Sequence, residues 1–112
     1  MRRVVVTGMG LVTPLGVGLD YNWTRLSNGE SGASAIDRFD VSDLPAKIAA
    51  QVPRGDGTDG TFNPDMFVSS KDQRRIDEFI VYGISAAVEA VEDSGWKPAS
   101  EYDQERTGVM IG

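Results

Sequence analysis

One stretch, Ser69 to Gly95 (SSKDQRRIDEFIVYGISAAVEAVEDSG), constrains the fold of this chain more than any other, because it alone is long and unmistakably helical in pattern. Ser70 with Gln73 three residues on offers a capping box, Asp77 offers a second N-cap, and Gly95 followed by Pro98 supplies a stop. Two starts are open: one helix from Lys71, or a short turn over Lys71–Arg75 followed by a helix from Asp77. The second is preferred. It makes Asp77–Ser94 a rod of about 27 Å, since an α-helix rises ~1.5 Å per residue.

The rod is apolar on nearly every side. Ile76, Phe79, Ile80, Gly83, Ala87, Ala90 and Val91 form one stripe, while Val81, Ile84, Ala86 and Val88 cover much of the remaining circumference. Between Phe79 and Val91 only Ser85 and Glu89 are plainly polar, with Tyr82 amphipathic. An ordinary amphipathic helix with a wide apolar stripe is the plainer reading, but a helix greasy all round belongs inside a larger structure. Gly83, Ala86, Ala87 and Ala90 suit the close approach of another helix. A chain of 112 residues is at most one domain, and its core is too small to enclose such a rod on all sides.

Composition excludes several chemistries. There is no cysteine and no histidine, which removes disulfides, thiolate nucleophiles, imidazole bases and the commonest soft-metal ligands. Any catalysis would rest on carboxylates, Lys, Ser, Thr or Tyr, and no cofactor or metal is expected. A net charge of −6 argues against nucleic-acid binding, which needs a basic footprint. Arg2-Arg3 before an uncharged run to Leu19 invites a signal-peptide reading. That run is broken by four glycines and Pro14, and Asp20, Arg25 and Glu30 intervene before the small-residue site at Ala33-Ser34-Ala35. No apolar run is long enough to span a bilayer, and a cytoplasmic location is expected.

In chain order, Arg3–Thr7 (RVVVT) reads as a strand buried on both faces, closed by Gly8-Met9-Gly10. A dinucleotide fingerprint would need glycine at position 13, where Thr13 stands, and Pro14 falls where the phosphate-binding helix should run. The glycines are read as turn formers. Asp20–Gly29 reads as a compact helix with Asp20 as N-cap, Trp23 and Leu26 as inward anchors and Gly29 as stop. Glu30–Asp40 reads as a loop pinned by Ile36 and Phe39, and Ala46–Val52, bracketed by Pro45 and Pro53, as a second strand. Arg54–Thr61 (RGDGTDGT) resembles a calcium loop only superficially, because Phe67 stands where the terminal glutamate would be. Arg106–Gly112 reads as a third strand, an odd place for a natural terminus. Strands alternating with helices indicate an α/β arrangement.

Lys71, Arg74 and Arg75 form a basic cluster on an otherwise acidic chain. A solvated helix start is the bland explanation, yet cations sit poorly at a helix N-terminus, which favours anions. Docking of an acidic partner or phosphate is the alternative, with Asp72, Asp77 and Glu78 as competing intramolecular partners. Glu89 and Ser85 are read as a hydrogen-bonded pair without a catalytic role.

Val5-Val6-Thr7-Gly8-Met9-Gly10, Thr13-Pro14-Leu15-Gly16, Trp23 with Leu26, Gly29-Glu30-Ser31-Gly32, Ile36, Phe39-Asp40 and Lys71-x-x-Arg74-Arg75-x-Asp77-x-Phe79 together resemble the N-terminal portion of the β-ketoacyl-acyl carrier protein synthases, the elongating type II enzymes above all. Ala33, usually a larger aliphatic residue, and the glycine-rich Arg54–Thr61 loop depart from the pattern. The resemblance implies a thiolase-like α/β fold, layered α-β-α-β-α, of which residues 1–112 are part of the N-terminal half, with Asp77–Ser94 as a central helix. It implies an acyltransferase of fatty acid biosynthesis that forms a homodimer and condenses an acyl thioester with malonyl-acyl carrier protein. The cysteine nucleophile and histidines of that chemistry have no counterpart here, so no catalytic residue is assigned, and the piece alone is expected to be inactive. What carries over is Lys71, Arg74 and Arg75 as the docking site for the acidic acyl carrier protein. A polyketide ketosynthase or its chain-length partner, and a non-enzymatic module holding an acidic protein, are the rival readings.

Overall fold

The computed structural model describes Met1–Gly112 throughout. Two short antiparallel hairpins, four α-helices and one 3₁₀ turn make up the chain, with a small apolar centre. β1 (Val12–Thr13) pairs with β2 (Gly16–Val17) across the Pro14-Leu15 turn, with Val12 opposite Val17. α1 spans Leu19–Ser27. β3 (Ala33–Ala35) pairs with β4 (Ile48–Ala50), Ala33 opposite Ala50. A 3₁₀ turn at Pro64–Met66 leads to α2 (Ser70–Gln73), α3 (Glu78–Ser94) and α4 (Glu101–Glu105).

α3 begins and ends where its sequence signals lie. Asp77 is the N-cap residue, and Gly95 closes the helix at φ 64°, a left-handed conformation that glycine adopts without strain. α2 is the expected short turn before it, shifted by one in its cap. Ser69, not Ser70, is the N-cap: its hydroxyl accepts from Asp72 N at 3.2 Å and donates to Asp72 Oδ2 at 2.7 Å. Gln73 is thereby released, and its amide donates to Asp65 Oδ1 at 2.9 Å and Val68 O at 2.7 Å.

The centre consists of Phe62, Val68 and Val81, all buried, with Val12, Val17, Val52, Ile76 and Tyr82 packed around them. Phe62 stacks parallel to Phe67 at 6.1 Å and meets Tyr82 edge-on at 4.9 Å. A hairpin needs only its own two strands, which is why β1–β2 and β3–β4 form. The Ala46–Val52 strand shrinks to β4 and finds its partner inside the stretch read as a loop.

The expected strands Arg3–Thr7 and Arg106–Gly112 do not form. Nothing among these residues pairs with either, and Val4, Val5, Val6, Val109, Met110 and Ile111 are exposed. In α1 the N-cap position is Gly18 rather than Asp20, two residues earlier than expected. Its anchors also differ. Trp23 is 66% exposed and Leu26 60%, while Asn22 is buried and donates to Gly16 O at 2.9 Å and Gly18 O at 2.8 Å. The side chain of Asn22 also accepts from the Thr13 hydroxyl, so a polar side chain holds α1 to the first hairpin.

Gly8 and Gly10 have a different purpose from the one read in the sequence. Neither has positive φ. A Cβ on Gly10 would lie 2.0 Å from Ala86 O, and one on Gly8 would lie 2.4 Å from Ala90 O, so these glycines let the backbone run flush along α3. Met9 N donates to Asp93 Oδ2 at 2.9 Å and Leu11 N to Glu89 Oε2 at 3.2 Å, which fastens the segment there. Glu89 therefore does not pair with Ser85, whose hydroxyl donates to Val81 O at 2.7 Å.

The opposite side of α3 is bare. Phe79 is 71% and Val91 57% exposed, and with Ile80, Gly83, Ile84, Ala87 and Val88 they line an apolar hollow of about 600 Å³ that Val109 and Ile111 border without filling. The accessible surface is 8799 Å², against about 6,000 Å² for a compact monomer of this mass. The radius of gyration is 17.1 Å, against about 13 Å for a self-contained domain. No helix is long and apolar enough to cross a membrane.

Candidate docking surface

Lys71, Arg74 and Arg75 lie on the elbow formed by α2 and the residues joining it to α3, and all three are exposed. Sequence reasoning left open whether neighbouring acids neutralise them. The structure engages two of these acids elsewhere and pairs the third, Asp77, with none of the three cations. Asp72 is held by Ser69, Asp77 makes no side-chain capping bond, and Glu78 is engaged by Arg38 and Arg54. No ion pair reaches Lys71, Arg74 or Arg75. Three cations are thus presented to solvent on a chain of net charge −6.

Behind the elbow is a polar junction that the sequence did not reveal. One oxygen, Glu78 Oε1, accepts from Arg38 Nη1 at 3.0 Å and Arg54 Nη2 at 2.5 Å, and from the Tyr82 hydroxyl. Arg38 Nη2 also donates to Val52 O at 2.9 Å. Partial burial pushes the Glu78 carboxyl up, but the hydrogen bond and charge of Arg54, with those of Arg38, outweigh it. The group is held below the usual glutamate range. Glu78 and Tyr82 are four apart on one helix face, a spacing visible in the sequence; the arginines come from distant segments and could not be assigned from it.

The Arg54–Thr61 loop closes on itself. Asp56 Oδ1 accepts from Thr58 N at 2.9 Å and Thr58 Oγ1 at 2.6 Å, bonds that lower the Asp56 pKa. A second apolar hollow, about 520 Å³, lies between α1 and the hairpins, lined by Leu11, Pro14, Leu15, Leu19, Trp23 and Leu26 among others. Neither hollow brings together a nucleophile and a base.

A family model described as the β-ketoacyl synthase N-terminal domain matches residues 1–112. The chain belongs to the β-ketoacyl synthase family. It is 54% identical over 112 residues to the 3-oxoacyl-[acyl-carrier-protein] synthase 2 of Rhizobium meliloti (strain 1021), covering 100% of this chain and 27% of that protein. To the mitochondrial 3-oxoacyl-[acyl-carrier-protein] synthase of Arabidopsis thaliana it is 40% identical over 125 positions, covering 99% of this chain and 26% of the relative. Among solved structures, the ishigamide ketosynthase/chain length factor superposes with a TM-score of 0.69 at 32% identity, over 86% of this chain and 22% of that one. The chain spans about a quarter of the length of the curated relatives it matches. These 112 residues are a partial, mixed α/β piece of a thiolase-like ketosynthase N-terminal domain, homologous to the N-terminal region of 3-oxoacyl-[acyl-carrier-protein] synthases.

Proposed function

We propose that this β-ketoacyl synthase region belongs to an acyltransferase that elongates fatty acyl chains by condensing an acyl thioester with malonyl-acyl carrier protein, and that it supplies scaffold and docking surface rather than catalytic groups. In this reading α3 is a central helix of a five-layered α-β-α-β-α fold. Arg3–Thr7 and Arg106–Gly112 become strands once further chain pairs with them. The complete protein acts as a cytoplasmic homodimer, and the nucleophile and its helpers lie outside residues 1–112.

The observation that carries the docking role is the set of three solvent-facing cations, Lys71, Arg74 and Arg75, free of ion pairs on an acidic chain. An acidic carrier protein complements them, and such charges act mainly on encounter rate and salt dependence. Likeness to a ketosynthase/chain length factor favours a polyketide enzyme as the second reading, at 32% identity against 54% for the fatty acid synthase relative.

The test is charge reversal in the complete protein. K71E/R74E/R75E is expected to weaken acyl carrier protein binding by about tenfold at low salt and to flatten its salt dependence. Unchanged affinity and an unchanged salt slope would remove the docking role.

A further inference from the structure

We propose that Glu78 is a positioning residue for carrier docking: by fastening the first turn of α3 to Arg38 and Arg54, it sets the direction in which Lys71, Arg74 and Arg75 project. The inference rests on the docking role proposed above for that cluster and adds the part that aims it. Arg75 and Glu78 are three residues apart, so the backbone of Arg75, the nearest member of the cluster, lies within about 11 Å of the junction even if fully extended.

The elbow has few other attachments. α2 is four residues long and has no buried side chain. Gln73 ties its end to Asp65 and Val68, and Ile76 rests half-buried on the small centre. The start of α3 is held by the burial of Val81 and the packing of Tyr82 on Phe62, and beside them by the polar junction at Glu78. The junction does so from two segments, since Arg54 lies beyond the end of β4 while Arg38 lies in the connection between β3 and β4 and also grips Val52 O. Tyr82, one turn further on, supports the same carboxylate oxygen and keeps its ring edge-on to Phe62.

Single exposed ion pairs contribute modestly to global stability; three groups converging on one oxygen from separate segments also fix the orientation of the helix start. Electrostatics alone makes the opposite prediction from positioning. Removing the Glu78 charge frees two guanidinium groups beside a basic patch, which would strengthen the attraction of an acidic carrier. Positioning requires the reverse, weaker docking despite the more positive surface.

The experiment compares Glu78→Gln with wild type in the complete enzyme, using malonyl-acyl carrier protein and, in parallel, a carrier-free malonyl thioester. The expected result is a KM about threefold higher for the carrier-bound substrate, with kcat and the KM for the carrier-free thioester unchanged. In the K71E/R74E/R75E background the same substitution is expected to add nothing. A lowered or unchanged KM, or equal changes with both substrates, would overturn the positioning role. If the triple reversal itself leaves the carrier KM unaltered, the docking role fails; if the triple reversal acts and Glu78→Gln does not, only the positioning role fails. Tyr82→Phe, which removes one donor from the same oxygen and keeps the ring, serves if Glu78→Gln does not fold. It is expected to raise the carrier KM selectively, and no rise would count against the proposal.

Discussion

Gly10→Ala in the complete protein tests how the N-terminal segment is held. The added Cβ would sit 2.0 Å from Ala86 O and 2.7 Å from Ala90 N, both backbone atoms of a helix that cannot swing aside. Cβ atoms essentially never approach heavy atoms closer than 3.0 Å, so the segment must retreat by at least 1.0 Å (3.0 − 2.0). The Leu11 N to Glu89 Oε2 bond, 3.2 Å long, does not survive that displacement. Losing a hydrogen bond to a charged acceptor costs about 1.5–3 kcal/mol, and forced overpacking about 1–3 kcal/mol, so a destabilisation of ~3 kcal/mol is expected. Urea unfolding should show a lower midpoint at unchanged slope. Because Glu89 acts through the same contact, Glu89→Gln should cost less in the Gly10→Ala background than in wild type. A cost below about 0.5 kcal/mol, in the range of neutral surface substitutions, or strict additivity of the two changes would refute the close-approach argument.

Further outcomes are expected elsewhere. Asn22→Ala removes the donor shared by Gly16 O and Gly18 O and should cost about 2 kcal/mol, read as a lower urea midpoint; a neutral effect would show that Asn22 does not hold α1. Ser69→Ala should cost about 1 kcal/mol through loss of the α2 cap, seen as faster amide exchange at Asp72. Since the folded Glu78 carboxyl titrates below its ordinary range, its contribution is present above that range and is lost as pH falls through the folded value. The urea midpoints of wild type and Glu78→Gln should therefore stay apart above the ordinary glutamate range, about pH 4.3, and draw together as pH falls below it. Gly83→Ala has nothing within 4 Å of the new methyl here. It should raise the helicity of the isolated chain by the usual glycine-to-alanine gain of about 1 kcal/mol, yet destabilise the complete protein, where another element is expected against that face. Stabilisation in both would argue that nothing packs on Gly83.

α3 was legible in the sequence because everything that defines it is local: Asp77 before the run, Gly95 after it, and an apolar pattern between. Most of the strands were not, because strand formation depends on a neighbour; of those read, only Ala46–Val52 forms, shortened to β4. Arg3–Thr7 and Arg106–Gly112 have suitable residues but nothing to pair with, whereas the modest Ala33–Ala35 forms a strand because β4 folds back on it. Buried polar residues were missed for a related reason. Asn22 looked like an ordinary helix residue beside Trp23 and Leu26, and only the Gly16 and Gly18 carbonyls brought to it by the first hairpin explain its burial. The basic cluster was visible as composition; that Glu78 is engaged by Arg38 and Arg54, leaving the cluster without ion pairs, required three segments in their places.

The account depends on α3 having a face that these residues do not cover. Static light scattering of the isolated chain across a concentration series, with a thermal melt on the same samples, tests this most directly. Association that grows with concentration, with no single sharp melt, is what the bare Phe79, Ile84 and Val91 surface predicts. A monodisperse monomer that melts in one cooperative transition would contradict it.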